Sequence, residues 1–383
     1  MELFRHELYK VFTRKMVWIG LIFATVLVLF SSFATSSQLT QMYGNMNGFY
    51  KNFYSGNEGP ITDQLRQKAS EWIKTDGKAL NLKIATGQAT VQDKQTLAFY
   101  SQIAQPDTLT SNRADKISGL KSDEQKANDG YDQKKANLNI AMLNGIQTSS
   151  LYFTLPLGND IEFPIGLGFV VMGILILLGV SPIFTDEYST NMDLLILSSK
   201  RGRRSVVTSK ILSTVVYCMA VSLFVLLLNF LIQVASLGIH GLNAPIQLNS
   251  VFTDSPYAIT YGNYLIIQFG LSTLACVFFG LLVLFVSSVS VNVLLPFFIC
   301  GALFASTAFI NSLGSAVPTA LAEFSNLSYT ELMRVDELFK SFKTYNLFGQ
   351  PVLYLNLTIG LYIIITALAI CLTYIIFKRR EAK

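Results

Sequence analysis

Five stretches of this chain carry no charged side chain: residues 16–50, 163–185, 211–253, 255–322 and 344–377, with lengths of 35, 23, 43, 68 and 34. A helix or strand of a soluble protein keeps one face in water, so charge recurs every few positions. Uncharged blocks of this length exclude such a protein, and they also exclude a disordered chain or a fibrous repeat. Charged residues make up 14% of the chain, against about 25% in ordinary soluble domains. The formal charge of +5, set beside these blocks, points to a membrane and not to nucleic acid.

A helix crossing the hydrocarbon layer needs about 20 apolar residues. The blocks supply six such spans, at 16–35, 163–184, about 206–237, about 263–287, about 292–313 and about 354–377. The 68-residue block is split by Ser288-Val289-Ser290-Val291-Asn292. The first run is longer than the 7–15 residue core of a signal peptide, so it is expected to remain as a span. Residues 1–15, 186–210 and 378–383 hold 13 Lys and Arg, whereas 238–262 and 314–353 hold three. Basic residues in short loops mark the cytoplasmic side. With six spans, all three basic clusters fall on one side, which places both termini in the cytoplasm of a multi-pass cell-membrane protein.

The expected fold is therefore an all-α membrane protein: six transmembrane helices with a large helical extracellular domain between the first two. The chain divides into 1–35 (an amphipathic helix and the first span), 36–160 (the outer domain) and 161–383 (five spans). Residues 36–160 carry 13 basic and 12 acidic residues. Helical patterns run from Pro60 to Gly87, from Val91 to Pro106, and onward from Ser122-Asp123-Glu124-Gln125, which has capping-box spacing. The Ser-, Asn-, Gly- and Tyr-rich stretch from Thr35 to Gly59 reads as a surface linker. The domain itself suits either a solvated spacer or a gate and docking surface.

Several chemistries have no residues to carry them. His6 and His240 are far apart, His6-Glu7-Leu8-Tyr9-Lys10 lacks the second His of a zinc-protease motif, and no metal site is expected. All four cysteines fall inside spans, so no disulfide framework follows. Gly77-Lys78 lacks the rest of a phosphate loop. No acid or base is read inside a span, which leaves no proton relay.

Two segments flanking the spans are amphipathic. In 1–15, Phe4, Leu8, Val11 and Phe12 recur at helical spacing, suiting a helix in the headgroup layer. In the inner loop, Tyr188, Met192, Leu195 and Ile196 recur likewise within a helix at 186–199. Asp186, Glu187 and Asp193 lie toward its start, where the helix dipole favours acids. Lys200, Arg201, Arg203 and Arg204 form a basic turn that can reach lipid phosphates. Small residues at Ser272, Cys276 and Gly280, and at Gly301 and Ala305, allow close helix approach. Pro182 and Pro296 are expected to bend their spans.

Together these features resemble the transmembrane permease of bacterial type-2 ABC exporters, the kind often found in Gram-positive species. Asp186-Glu187-Tyr188, then Leu194-Leu195-Ile196-Leu197-Ser198-Ser199, then Lys200-Arg201-Gly202-Arg203-Arg204 and Lys210 follow that family's order. Ser189-Thr190-Asn191 stand where it usually has Gly-Thr. The resemblance covers the membrane part, about two thirds of the chain. It implies a non-enzymatic transport subunit with no cofactor of its own, ATP and Mg being bound by a separate cytoplasmic ABC ATPase. It implies a coupling helix at 186–199 that docks there through Asp186, Glu187, Tyr188, Thr190, Met192, Asp193, Leu195 and Ile196. A second permease chain, identical or related, would complete a path along the second and fifth spans, with Asn292, Ser306, Thr307 and Asn311 as polar candidates. The substrate would be amphipathic or lipid-like, such as a peptide antibiotic or a lipid, and the link to antibiotic resistance follows from that. The alternative is ATPase-driven mechanotransmission or sensing through the outer domain without translocation.

Overall fold

A computed structural model of the chain describes residues 2–104, 108–127, 130–146, 150–190, 192, 202–313 and 317–379. Helix α1 (Glu2–Phe12) leads into α2 (Lys15–Tyr43), and after the outer segment come α3 (Ile161–Ser189), α4 (Gly202–Leu237), α5 (Tyr261–Val289), α6 (Leu294–Ser312) and α7 (Tyr354–Arg379). Five of these, α2, α3, α4, α5 and α7, are long and apolar enough to cross a membrane. The segment expected as the fifth span forms the shorter α6, whose apolar part is Leu294–Ile310. The protein is thus an all-α membrane protein.

Burial separates the bundle into a centre and a periphery. The apolar windows of α3 and α5 are 61% and 50% buried, those of α2 and α7 only 22% each. Glycines let the central helices meet closely, since a backbone without Cβ leaves room for a neighbour. A Cβ at Gly179 on α3 would lie 2.3 Å from the Tyr217 ring of α4, and one at Gly280 on α5 would lie 2.2 Å from Cys218 Sγ. Tyr217 lies across α3 and donates its hydroxyl to the Leu175 carbonyl at 2.7 Å. The small-residue stripe of α5 is used throughout: Ser272 donates to Met333 O at 2.6 Å, and Cys276 packs on Met172 Sδ at 3.8 Å. Pro182 sits where α3 turns at Ser181. Pro296 lies in the first turn of α6, where a missing N–H costs nothing, so it marks a helix start and not a mid-helix bend.

Between α6 and α7 the chain dips back into the bundle through Thr319–Asn326, Tyr329–Arg334 and Asp336–Lys340, then leaves by the hairpin Thr344–Leu353. Tyr329 stacks on Phe279 with ring centroids 4.8 Å apart. Phe279 is 18 residues along α5, about 27 Å at 1.5 Å per residue. Thr330 donates to Thr307 Oγ1 of α6 at 2.9 Å. Arg334 lies between Glu331 (3.6 Å) and Asp336 (3.3 Å), and both acids are buried. Val335 between them takes φ +71, a left-handed conformation that is rare for a β-branched residue. Lys210 and Glu187, described below, lie within the apolar helices Arg204–Leu237 and Ile161–Ser189 and correct the expectation of spans without acids or bases. Buried Glu331 and Asp336, with half-buried Arg334, are charges outside those helices. The sequence pattern hides them because they stand at the edges of uncharged blocks or in the short dipping helices.

The segment 44–160 is helical, with Asp63–Trp72, Lys78–Ala85, Val91–Ala104, Thr108–Lys126 and Gly130–Asn144. The 35–59 stretch is not a linker. α2 continues to Tyr43, and Phe49 and Tyr54 are buried in an aromatic core with Ile103, Leu151 and Phe153. Its polar residues kept it from reading as core, yet its aromatics are what the domain packs on. The Ser122–Gln125 spacing falls inside the helix Thr108–Lys126 and caps nothing. The capping box is at Thr90, whose N–H donates to Asp93 Oδ2 (2.9 Å) while Asp93 N–H donates to Thr90 Oγ1 (3.2 Å).

The close approach of α3 and α4 yields a prediction. Gly179→Ala drives a methyl into the Tyr217 ring and should cost about 1–3 kcal/mol, read as a lower thermal unfolding temperature in detergent. Gly360→Ala on α7, where nothing lies within 4 Å, should leave that temperature unchanged.

Candidate functional site

At the end of the bundle that carries the chain termini, six charged side chains from α1, the turn after it, α3 and α4 converge. Lys210 on α4 is fully buried. Its ammonium donates to Glu187 Oε1 at 2.7 Å, Glu7 Oε2 at 3.0 Å and the Ile183 carbonyl at 3.1 Å, so all three of its N–H bonds are used. Lys10 of α1 donates to the same Glu187 Oε1 at 3.1 Å. Arg14, in the turn between α1 and α2, donates to Gly179 O (2.7 Å), Pro182 O (3.3 Å) and Asp186 Oδ2 (2.9 Å). Burial pulls the Arg14 guanidinium below its ordinary value, while neighbouring Asp186 acts in the opposite direction.

The local sequence explains this arrangement. Glu7 and Lys10 lie at i and i+3 on the face that α1 turns toward the bundle, beside buried Val11, and Arg14 follows in the turn before α2. Asp186 and Glu187 occupy the last turn of α3, and Lys210 lies on α4 six positions after Arg204. Three acids meet three bases, so the cluster is neutral as a whole. Burying even one of these charges alone would cost several kcal/mol.

This geometry changes the reading of the inner loop. Asp186, Glu187 and Tyr188 are not the front of a separate helix; they end α3. Glu187 and Tyr188 are buried within the chain, and Tyr188 donates to Ser288 O at 3.2 Å. They cannot present side chains to a docking partner, because the chain itself surrounds them. Asp186 is half-buried on Arg14. Thr190 and Met192 are exposed, and Thr190 Oγ1 donates back to Asp186 O at 2.8 Å. Asp193, Leu195, Ile196, Lys200 and Arg201 lie outside the described residues. Arg203 and Arg204 are in the first turn of α4, and Arg204 is exposed.

The four polar path candidates do not converge. Asn292 lies at the start of α6, accepting from Leu294 N–H at 3.1 Å. Ser306 is half-buried and bonded back to Leu303 O, whereas Thr307 is buried against Thr330. Asn311 belongs to the last turn of α6, at the end of that helix away from Asn292. They are spread along the helix's length.

A second constellation joins the outer segment to the far end of the bundle. Phe49, Tyr50, Tyr54 and Phe153 pack with centroids 4.9–5.9 Å apart. His240, just beyond α4, stacks on Tyr50 at 3.8 Å and pairs with Asn47 Oδ1 at 2.9 Å. Burial lowers the His240 pKa, which favours the neutral, stacked ring. Comparison of the chain with known protein families, curated proteins and solved structures finds no match.

The ion cluster yields a second prediction. Lys210→Met leaves Glu187 and Glu7 buried without their main partner and should cost about 3–5 kcal/mol, measured by thermal unfolding in detergent. Adding both Glu187→Leu and Glu7→Leu removes the two stranded charges and should recover much of the loss, because apolar side chains can replace a buried ion cluster.

Proposed function

We propose that the chain is the transmembrane permease subunit of an ATP-driven exporter of the type-2 ABC class, energised by a separate ATPase that binds ATP and Mg. The observation that supports this reading is the position of the ion cluster directly behind the inner loop. Residues 190–201 connect the end of α3 to the start of α4 in sequence. The cluster binds those two ends to each other and to α1. A push on this loop from a partner therefore moves α1, α3 and α4 together, which a motor-driven permease requires. In this reading the six apolar helices all span, with α6 completed by the dipping segment, both termini are cytoplasmic and the 44–160 segment is extracellular. Thr190 and Met192, with Asp193, Leu195 and Ile196, form the docking surface. The basic turn Lys200–Arg204 holds the loop at the inner leaflet. Two such chains form the path, and the substrate is amphipathic or lipid-like.

The aromatic cluster supports a second reading, in which ATPase cycling moves the outer domain without translocation. α2 runs unbroken into that domain, and Leu237 and His240 tie the domain to α4. Tilting α2 or α4 would then carry the domain with it.

The test is co-purification of the chain with a subunit that carries a phosphate-binding loop, followed by ATPase and efflux assays in liposomes. Met192→Asp alters an exposed side chain, so it should leave the unfolding temperature unchanged and weaken association about tenfold or more. Efflux coupled to ATP hydrolysis supports export; hydrolysis without efflux supports transmission; a chain that purifies without an ATPase under co-expression sinks both.

A further inference from the structure

Where the outer domain meets the loop between α4 and α5, a cavity of about 60 Å³ is walled by Arg113, Lys116, Leu143, Pro245, Gln247 and Asp254, among others. Gln247 is 6% exposed. Its amide nitrogen donates to Ser255 O at 3.1 Å and Tyr257 O at 2.8 Å. Both N–H bonds are then used, which settles which end of the amide is oxygen. Oε1 faces away from those carbonyls, is buried and has no partner. A buried acceptor left unpaired is costly, so this one calls for an N–H or O–H donor.

The lining also carries two cations. Arg113 donates to the Ile146 carbonyl at 2.6 Å, which fixes its guanidinium and leaves its other N–H groups for a second acceptor. Lys116 stands one helical turn on and only brushes Asp254, at 3.9 Å with that carboxylate largely exposed. The cavity lining therefore holds two cations for an oxyanion and an unpartnered acceptor for a donor. Leu143 and Pro245 add an apolar wall.

We propose that this cavity binds the C-terminal end of a peptide. The terminal carboxylate pairs with Arg113 and Lys116, the last amide N–H donates to Gln247 Oε1, and an apolar final side chain lies on Leu143 and Pro245. A peptide C-terminus carries both complements of this lining, a carboxylate for the cations and an amide N–H for the acceptor, and Arg suits planar carboxylates. A bare phosphate at neutral pH would meet Gln247 Oε1 with oxygens that mostly carry no proton. The site does not rest on the transport reading, because a sensor and an exporter could both use it. Its position between the outer domain and the loop entering α5 would let an occupant clamp the two.

The experiment uses the full chain in nanodiscs and saturation-transfer NMR with acetyl-trialanine as the free acid and as its C-terminal amide. The free acid should bind at least about tenfold more tightly than the amide, the usual scale of a charge-assisted hydrogen bond. Lys116→Gln, on an exposed side chain, and Arg113→Gln should each weaken the acid by about that factor, whereas Lys121→Gln should not. Equal binding of acid and amide overturns the proposal, as does no binding of either, which would mean the cavity holds water. Binding of inorganic phosphate without binding of the free acid overturns it in favour of a phosphate site. The acid-versus-amide comparison on the unaltered chain stands even if a variant fails to fold.

Discussion

A lysine ammonium removed from water must find oxygen for each of its hydrogens, and Lys210 finds all three inside the bundle. That requirement fixes more than one side chain. Glu7 can reach Lys210 only if α1 lies against α4, and Glu187 only if α3 keeps its helical course past Pro182. Arg14 adds a grip on the carbonyls around that proline. The position of α1, the length of α3 and the start of the inner loop are thus set by one charge-balancing problem. Such a cluster is weak evidence of stability, because desolvation offsets much of the attraction. It is better understood as fixing register: with two partners of opposite sign on separate helices, sliding either helix by a turn leaves a charge unpaired.

Much of the architecture could be read from the sequence. The uncharged blocks locate the apolar helices because lipid tolerates no exposed charge along their length. The break at 288–292 lies where α5 gives way to α6. What resisted reading was the pairing of charges. Arg14 stands just before the first uncharged block, Asp186 and Glu187 just after the second, and Lys210 just before the third. Taken singly, each is an ordinary flank of a span. Only the packing of α1 on α4 shows that they face one another. The aromatics of 43–54 escaped for a related reason: Ser, Asn and Gly between them give the composition of a linker, while Tyr43, Phe49 and Tyr54 meet partners from about 50 to 100 residues away. Glu331 and Asp336 were legible as acids but not as buried ones, since depth comes from the dip of the chain and not from local pattern.

The two ends of the bundle are held by different physics. At the terminal end the ties are ionic, made of charges with strict geometric demands. At the other end they are aromatic stacks and amide hydrogen bonds, with Phe49, Tyr54 and Phe153 forming one packed unit with Leu237. Ring packing tolerates small rotations that a buried ion pair does not, because dispersion falls off gradually while an unpaired buried charge costs several kcal/mol at once. Motion is therefore expected to pass through the ionic end as a rigid unit and to be absorbed by adjustment at the aromatic end.

Helix α2 is the element best built to carry such motion. It joins the turn bearing Arg14 at one end and the aromatic core at the other. Along its 29 residues only Val17, Ala24, Val28 and Ser32 are buried, a narrow stripe spaced by seven, four and four. Side chains this small offer little area to hold the middle of the helix, at about 25 cal/mol per Å² of apolar surface. In lipid the hydrophobic term between helices largely vanishes as well, since the displaced solvent is itself apolar. α2 is thus fastened at both ends and loosely held between them. A rod of that kind tilts about its ends at low cost, and its tilt carries the outer domain, whose aromatic core packs on its last residues, Leu39 and Tyr43. The same argument excludes α3 and α5 as levers: their close glycine contacts and high burial make any independent movement break many contacts at once.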